Sequence, residues 1–297
     1  MTQPENGAGP DRQMKRFLDR IYARYARPEY LGTDPLPLVR RYSDSKDREV
    51  AGVIAALAAY GRVSAICAHV EECLLLLGDR PYRTVRSFRA DEVPSSFLSI
   101  RYRFHTGRDI VALLSVLASI YRTHDSLETL FRSFSGNTYD RLEGMVGEFR
   151  KTDISHIYDA DGWKSSYGLN YLFTDPSKGG ACKRWNLFLR WMIREDDGID
   201  CGAWSDCDPA ELQVPLDTHL HRIGRRLGFI PQKTASRAAV RSMTSSLALY
   251  DSRDPVRFDF PLCRLGILDR CPSEGFAERC AQCEMFDPCR RAVGPPA

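Results

Sequence analysis

The stretch Glu49-Val-Ala-Gly-Val-Ile-Ala-Ala-Leu-Ala-Ala-Tyr60 is small-sided and almost free of polar residues. A helix of this composition is buried on most of its surface and lets neighbouring helices approach closely. Asp47 or Ser45 is placed to cap its start, and Gly61 ends it. We therefore expect the core helix of a helical bundle, with any functional group at its exit, Tyr60-Gly61-Arg62.

Apolar residues recur at helical spacing on both sides of this stretch, and no alternating run bounded by hairpin turns indicates a strand. The pattern predicts an all-α fold. The expected helices cover residues 11–27, 49–60, 63–77, 109–121, 125–133, 138–150, 183–194, 217–227, 234–249 and 254–265. Residues 159–182 are rich in turn-forming residues, with one short helix expected within 163–173.

The bulk composition excludes several classes of protein. A chain of 297 residues can bury the core of one large or two small domains. No apolar run approaches the ~20 residues that span a membrane, and the first dozen residues lack the apolar core of a signal peptide. We expect a cytoplasmic protein without membrane association. A net charge of +3 is too small to indicate a nucleic-acid partner by itself.

Four cysteines form the run Cys271-x8-Cys280-x2-Cys283-x5-Cys289. Thiolates at these intervals can converge on one [4Fe–4S] cube, which needs four ligands from a compact loop. Zinc also binds four thiolates, but its structural sites usually pair two Cys-x2–4-Cys hairpins and this run has one. Disulfides would need an oxidising compartment, which the N-terminus does not support. We predict a [4Fe–4S] cluster, with zinc and unrelated free thiols as alternatives.

A second feature is Lys178-Gly179-Gly180-Ala181-Cys182-Lys183-Arg184, which leads into a predicted helix. Glycines let the backbone approach a ligand closely, and the first-turn amides of a helix bind phosphate. Lys183 would lie at the positive end of the helix dipole, where a cation lowers stability. This placement favours a functional lysine, with a solvated surface lysine as the alternative.

A third feature is Pro215-Leu216-Asp217-Thr218-His219. Pro215 prevents a helix from extending backwards, and Asp217 lies where the next helix should begin. Taken alone, the pattern indicates an N-cap, which contributes about 1 kcal/mol to stability.

Together these three features resemble the helix-hairpin-helix (HhH-GPD) DNA glycosylase superfamily. The cysteine run is similar to the cluster loop of endonuclease III and the adenine glycosylases, although its first gap is eight residues where six is typical. The separation of Lys183 and Asp217 is closer to that of the archaeal 8-oxoguanine glycosylase branch. The wider pattern, over roughly residues 12–290, also resembles the DUF2400 group of conserved hypothetical bacterial proteins.

The resemblance implies a two-lobed helical domain over residues 13–265, with a central lobe of about 48–160, and a cluster loop over 266–291. Residues 1–12 and 292–297 would be tails. One departure is the loop before the lysine, which reads Asp-Pro-Ser-Lys-Gly-Gly where a Leu-Pro-Gly-Val-Gly-like sequence is usual. Cys263 is an alternative cluster ligand to Cys271, but it falls in an apolar helical stretch, so we prefer Cys271.

The function implied is base-excision repair by a monomeric, nucleoid-associated glycosylase with AP-lyase activity. The substrate would be double-stranded DNA with a damaged base, 8-oxoguanine being the first choice over oxidised pyrimidines and alkylated purines. Lys183 would be the nucleophile, and Asp217 would stabilise the charge on the sugar. The residues expected to contact DNA are Lys178, Gly179, Gly180, Arg184, Tyr60 and Arg62. Four further pocket candidates are not ranked: Trp163, Tyr167, His105 and His219.

Two other functions stay open. A non-catalytic module that binds DNA or recognises damage would need the same fold and cluster, although it would need neither Lys183 nor Asp217. An enzyme acting on RNA or nucleotides is also compatible, because a fold does not fix a function.

Overall fold

The computed structural model describes residues 11–164, 166–268, 271 and 278–293. Nearly all regular structure in these ranges is helical, which confirms the all-α prediction. The α-helices are α1 (Arg12–Tyr25), α2 (Leu36–Arg40), α3 (Ser45–Leu57), α4 (Val63–Leu77), α5 (Pro81–Arg86), α6 (Ser95–Ser99), α7 (Gly107–Thr123), α8 (Leu127–Arg132), α9 (Thr138–Phe149), α10 (Ser155–Tyr158), α11 (Tyr167–Leu172), α12 (Lys183–Ile193), α13 (Thr218–Arg226), α14 (Arg237–Ala248), α15 (Asp259–Leu268) and α16 (Phe286–Val293).

One short antiparallel hairpin was not expected from the sequence. It pairs β1 (Arg101–Tyr102) with β2 (His105–Thr106) through a two-residue turn. Strands of two residues are too short to show an alternating pattern, so periodicity could not reveal them. The same limit applies to α2, α5, α6, α10 and α16, which are four to eight residues long.

The core helix α3 begins at Ser45 and ends at Leu57, whereas the sequence predicted 49–60. Asp44 is its N-cap and accepts hydrogen bonds from two first-turn N–H groups, so neither predicted cap is right. Asp47 instead accepts a hydrogen bond from a backbone N–H at the start of α5. That tertiary contact leaves no signal in the local sequence.

Close packing fixes α3 against α12. Every side chain in α3 from Glu49 onward is buried, as the composition predicts. A Cβ built on Gly52 would lie 2.8 Å from Met192 Cε, so the two helices meet with no room for a larger side chain. The position of α12 therefore follows from that of α3.

Glu49 anchors the N-terminal half of α3 as a buried carboxylate. Its oxygens accept hydrogen bonds from Tyr121 OH at 3.0 Å, Trp204 Nε1 at 2.6 Å, Leu127 N at 2.8 Å and Glu128 N at 3.3 Å. Two of these donors are the first N–H groups of α8, where the helix dipole also favours a negative charge. The contact fixes the rotation of α3, and with it the direction in which its C-terminal end points.

A buried ion network holds the opposite end of α12. Arg190 Nη2 lies 3.0 Å from Asp200 Oδ1, and Arg190 also pairs with Asp259 at the start of α15. Arg194 pairs with the same Asp200 and with Asp254. Buried charges are tolerated only when they are paired, so this network fixes α12 relative to α15. The N-terminal end of α12 is left facing the C-terminal end of α3.

None of the helices that the structure describes has both the length and the apolar character needed to span a bilayer. Most of the two predicted tails, residues 1–10 and 294–297, lies outside the described residues, as do 269–270 and 272–277 of the predicted cluster loop. Helix α16 extends to Val293, two residues into the predicted C-terminal tail. The division into two lobes stays a prediction.

Candidate active site

The C-terminal end of α3 is the centre of the candidate site. Four successive carbonyl oxygens, from Leu57 to Tyr60, accept hydrogen bonds there from side chains. Lys183 Nζ and Arg184 Nη1 each donate to one of them, at 3.1 and 2.8 Å, and Tyr102 OH donates to the other two. Because cations are stabilising at the negative end of a helix dipole, the tertiary structure compensates for the unfavourable position of Lys183 on its own helix.

The chain enters α12 through an unusual backbone conformation. Cys182, directly before Lys183, has a φ of +47° and makes no side-chain cap. A non-glycine residue in this region of φ is strained, and such strain is often found at functional sites. Burial raises the pKa of the Cys182 thiol to about 11, so this sulfur is protonated at neutral pH.

The predicted phosphate loop lies beside this entry. Lys178 and Gly179 are exposed, and Gly179 has a φ of +72°. Gly180 forms a β-bridge with Ser236, the N-cap of α14. A Cβ built on either glycine would meet no atom within 4 Å, so open space lies above both. This space leaves the loop accessible to a ligand, as the prediction of DNA binding requires.

A cavity of about 270 Å³ opens between the two helix ends. Its lining residues are Ala59, Tyr60, Tyr171, Thr174, Cys182, Lys183, Arg184 and Trp185. Lys183 is half-buried at its wall and Arg184 is buried. The structure therefore brings the predicted nucleophile together with Tyr60, whereas Arg62 lies exposed at the N-cap of α4.

Aromatic side chains surround the mouth of the cavity. Phe104, at the tip of the hairpin, stacks on Tyr60 with ring centroids 5.4 Å apart, and Tyr171 meets both rings edge-on. Tyr167 extends the cluster outward and is 72% exposed. Exposed aromatic rings beside an apolar cavity can stack on a flat ligand such as a nucleobase.

His105 fixes the hydroxyl of Tyr60. Its Nε2 lies 3.0 Å from the Gly168 carbonyl, which can only accept, so Nε2 carries the proton. Its Nδ1 then accepts a hydrogen bond from Tyr60 OH at 2.6 Å. Burial lowers the pKa of His105 to about 4, which keeps the imidazole neutral at physiological pH. The Tyr60 ring is thereby held in one orientation at the cavity wall.

Arg184 is a buried cation inside the aromatic cluster. Its guanidinium carbon lies 4.1 Å from the centroid of the Tyr171 ring and 5.5 Å from that of Tyr60. Besides the α3 carbonyl, it donates to Tyr171 O and to Thr174 Oγ1. Arg184 is therefore buried, whereas a contact with a DNA phosphate would require it to lie on the surface.

Asp217 is the N-cap of α13, as the sequence predicts, and its Oδ1 accepts a hydrogen bond from Leu220 N at 2.7 Å. The helix packs against α15, which carries Cys263. Burial raises the pKa of the Cys263 thiol; Asp217 and Asp259 raise it further, while Arg264 and Lys183 act in the opposite direction. The charges of Asp217 and Lys183 thus both act on the same thiol, although within the described ranges no hydrogen bond or ion pair joins the two residues.

The C-terminal cysteines lie together beside α13. Cys289 is buried, and Arg226 Nη1 donates to its sulfur at 3.7 Å. Burial raises the pKa of the Cys289 thiol, Arg226 opposes this, and the nearby Cys271 and Cys280 raise it further. The backbone N–H of Cys283 donates to the carbonyl of Cys280. Cys263 lies near Lys183 instead, which favours Cys271 as the fourth member of the group.

In the part of the chain that the structure describes, no group of three or more acidic, histidine or cysteine side chains has the geometry of a metal site. Thiols are nevertheless the ligands that an iron–sulfur cluster needs, and Cys271 and Cys280 both influence the pKa of the Cys289 thiol, to which Arg226 donates. Hydrogen bonds to ligand sulfurs are typical of the surroundings of such clusters.

Comparison with known proteins bears on the same region. A family model described as "Protein of unknown function (DUF2400)" matches residues 34–268. The chain belongs to the DUF2400 family. The match to DUF2400 includes the end of α3, the hairpin, Lys183, Asp217 and Cys263, and it stops before Cys271. No curated protein and no solved structure matches the chain.

Several site residues of this DUF2400 protein were missed or left unranked from the sequence. Phe104, Tyr171 and Cys263 join the site through contacts between segments far apart in the chain. Of the unranked pocket candidates, His105 and Tyr167 belong to the aromatic cluster. The other two make no contact with this cluster among the described residues: Trp163 Nε1 donates to Thr152 O, and His219 bonds to Arg222 within α13.

Proposed function

We propose that this chain is a DNA base-excision glycosylase with AP-lyase activity. The observation that supports the proposal most strongly is the position of Lys183. Its amine is half-buried at the wall of an aromatic cavity and bonds to the Ala59 carbonyl, and both Lys183 and Asp217 influence the pKa of the Cys263 thiol. A damaged base in duplex DNA would be flipped out of the stack into this cavity, at a cost of a few kcal/mol that is lowest for damaged pairs.

The chemistry would run through a covalent intermediate on Lys183. The neutral amine attacks C1′ of the sugar, a C–N bond forms, and the glycosidic bond breaks with its electron pair leaving on the base, which takes up a proton. Opening of the sugar ring gives a Schiff base. β-Elimination then removes a proton from C2′ and breaks the C3′–O bond, so that the downstream strand leaves with a phosphate on its 5′ end.

Asp217 would assist by charge. A carboxylate at the start of α13 stabilises the positive charge that develops on the sugar as the base departs. It would also help to remove a proton from the amine. Because Asp217 Oδ1 is held by Leu220 N, the carboxylate keeps one orientation during the reaction.

We also propose that Cys271, Cys280, Cys283 and Cys289 hold a [4Fe–4S] cluster, with zinc as the alternative occupant. When bound, such a cluster would crosslink the C-terminal segment and take no part in the chemistry. The DNA contacts would come from Lys178, Gly179 and Gly180 in the accessible loop and from Arg62 on the exposed start of α4. Arg184 would act from inside the cavity.

Borohydride trapping on duplexes that carry 8-oxoguanine, thymine glycol, uracil or an abasic site tests the proposal. The informative variant is Lys183→Arg. It keeps a cation on the Ala59 carbonyl, and so keeps the cap of α3, but it has no amine that can form a Schiff base. We expect a covalent adduct for the wild type, none for the variant, and melting temperatures that agree within a few degrees.

A matched control is Lys178→Ala, which removes an exposed lysine five positions earlier. It should weaken DNA binding and leave the adduct intact. An adduct that persists in Lys183→Arg would refute the assignment of the nucleophile.

A second candidate function is a non-catalytic module that recognises damaged DNA. Lys183 caps α3 and Asp217 caps α13, so structural roles alone can account for both residues. This observation favours the non-catalytic alternative. Tight binding to abasic duplexes without any adduct would support this alternative.

A further inference from the structure

The cavity beside Lys183 combines aromatic walls with the uncompensated positive charge of Arg184. In the ranges that the structure describes, Arg184 borders the cavity and does not lie within ion-pair distance of a carboxylate. The acceptors that Arg184 uses are two carbonyl oxygens and a hydroxyl, which are all neutral. A charge paired only with dipoles keeps most of its field in a partly buried site.

Arg184 also occupies the tyrosine ring faces over which a cationic ligand would bind. Cations bind over the faces of tyrosine rings within about 6 Å of the centroid. Arg184 already lies within that distance of Tyr171 and Tyr60, and Arg103 lies 5.6 Å from the centroid of Tyr60. Tyr167, at the outer edge of the cluster, is 72% exposed, so a flat neutral ligand can still stack on its ring.

We infer that this cavity selects neutral planar bases and rejects cationic ones, with Arg184 as the residue that sets the selection. The inference rests on the proposed glycosylase function, and it assigns the substrate class to oxidised bases in preference to N-alkylated purines. Oxidised bases are neutral, whereas purine nucleosides alkylated on N3 or N7, and adenosine alkylated on N1, carry a positive charge at neutral pH.

Two nucleosides of nearly equal shape separate charge from size. 1-Methyl-2′-deoxyinosine is neutral, and 1-methyl-2′-deoxyadenosine is a cation at neutral pH. Binding of each to the full-length protein can be followed through the fluorescence of Trp185, which lines the cavity. We expect the neutral nucleoside to bind at least tenfold more tightly.

Arg184→Met removes the charge and keeps a long apolar side chain, so it should reduce the preference to threefold or less. Arg86→Met is the matched control, because Arg86 is exposed on α5 and does not line the cavity; its preference should equal that of the wild type. Equal or tighter binding of the cation by the wild type would overturn the inference. So would an unchanged preference in Arg184→Met.

Arg184 also caps α3, so Arg184→Met can fail to fold. In that case Arg184→Lys, which keeps the charge and a donor, should fold and keep the preference, and the wild-type ratio still decides whether the cavity selects by charge. The binding assay needs no covalent chemistry. A Lys183-dependent adduct without charge selection refutes this inference alone, whereas charge selection without any adduct refutes the glycosylase proposal alone.

Discussion

Two buried histidines lie in the wall of the aromatic cluster. His69 stacks on Tyr102 with ring centroids 4.4 Å apart, and His105 holds the Tyr60 hydroxyl. Burial lowers the pKa of both side chains to about 4. A histidine that is neutral when folded and protonated when unfolded makes stability depend on pH, so the cluster should weaken in acid.

The sign of this dependence can be tested with His69→Phe, which keeps a stacked ring and removes one titrating group. Unfolded histidine gains its proton near pH 6.5 and the folded one only near pH 4, so stability is highest above pH 6.5 and falls as the pH drops. Between pH 7 and 4.5 the unfolding free energy should fall in both proteins. The fall should be about 2–3 kcal/mol smaller in the variant than in the wild type. Urea denaturation measures this. His156→Asn, at an exposed position, should leave the slope unchanged.

At the scale of helices, a residue that caps a helix can also have a proposed role in the chemistry. Asp217 caps α13 and is also the proposed charge stabiliser. A substitution that keeps one role and removes the other can separate them. Asparagine caps helices about as well as aspartate but carries no charge.

Asp217→Asn should therefore keep the unfolding free energy within about 0.5 kcal/mol, because the Leu220 N–H keeps its acceptor. Base excision should fall by a factor of about 100 or more, because the charge opposite the sugar is lost. Single-turnover excision and thermal melting measure the two effects. A variant that melts much earlier with normal residual chemistry would leave Asp217 with a capping role only.

Helix packing around the hairpin sets a second test at this scale. A Cβ on Gly107, the first residue of α7, would lie 2.3 Å from the carbonyl oxygen of Phe97. Gly107→Ala must push backbone aside, so we expect a loss of about 2 kcal/mol or more. Gly147, within α9, has nothing within 4 Å of such a Cβ. Gly147→Ala should stabilise by about 0.5–1 kcal/mol, as for alanine in any open helix. Chemical denaturation compares the pair, and equal signs would contradict the packing.

At the scale of the whole molecule, the C-terminal segment joins the two ends of the chain. Helix α16 packs against α1 and α13. Glu284 pairs with Arg20 at 3.2 Å and with Arg24, and Arg226 donates to the Cys289 sulfur. A cluster held by the four cysteines would therefore stabilise contacts of α1 and α13 as well as its own loop.

Cys280→Ala should lose iron and inorganic sulfide and lower the melting temperature by several degrees, because a cluster that binds only the folded state stabilises it. Metal analysis, visible absorption and calorimetry measure this. Cys67→Ala, at a half-buried cysteine near Asp34 in another part of the fold, is the control and should keep full metal content. Equimolar zinc without sulfide in the wild type would establish the alternative metal, and normal iron in Cys280→Ala would remove that ligand.

Much of the architecture was predictable because its signals are local. The periodic stretches around α1, α4, α9 and α14 and the cap at Asp217 each depend on residues within a few positions of one another. The short helices and the hairpin were not predictable, since contacts from other segments determine them. The caps of α3 show the same contrast, because Asp47 serves a different helix from the one it lies in.

The sequence by itself determined the helical class, the buried core helix, and the two helix starts at Lys183 and Asp217. Only the tertiary structure decided that Lys183 meets the carbonyl end of α3, that Arg184 is buried among tyrosines, and that both predicted catalytic residues influence the pKa of the Cys263 thiol. The physical reason is the separation along the chain over which each interaction acts. Helix propensity and capping act over one turn, whereas a cavity is formed by the packing of side chains from α3, the hairpin, α11 and α12, whose separation along the chain leaves no pattern in any one segment.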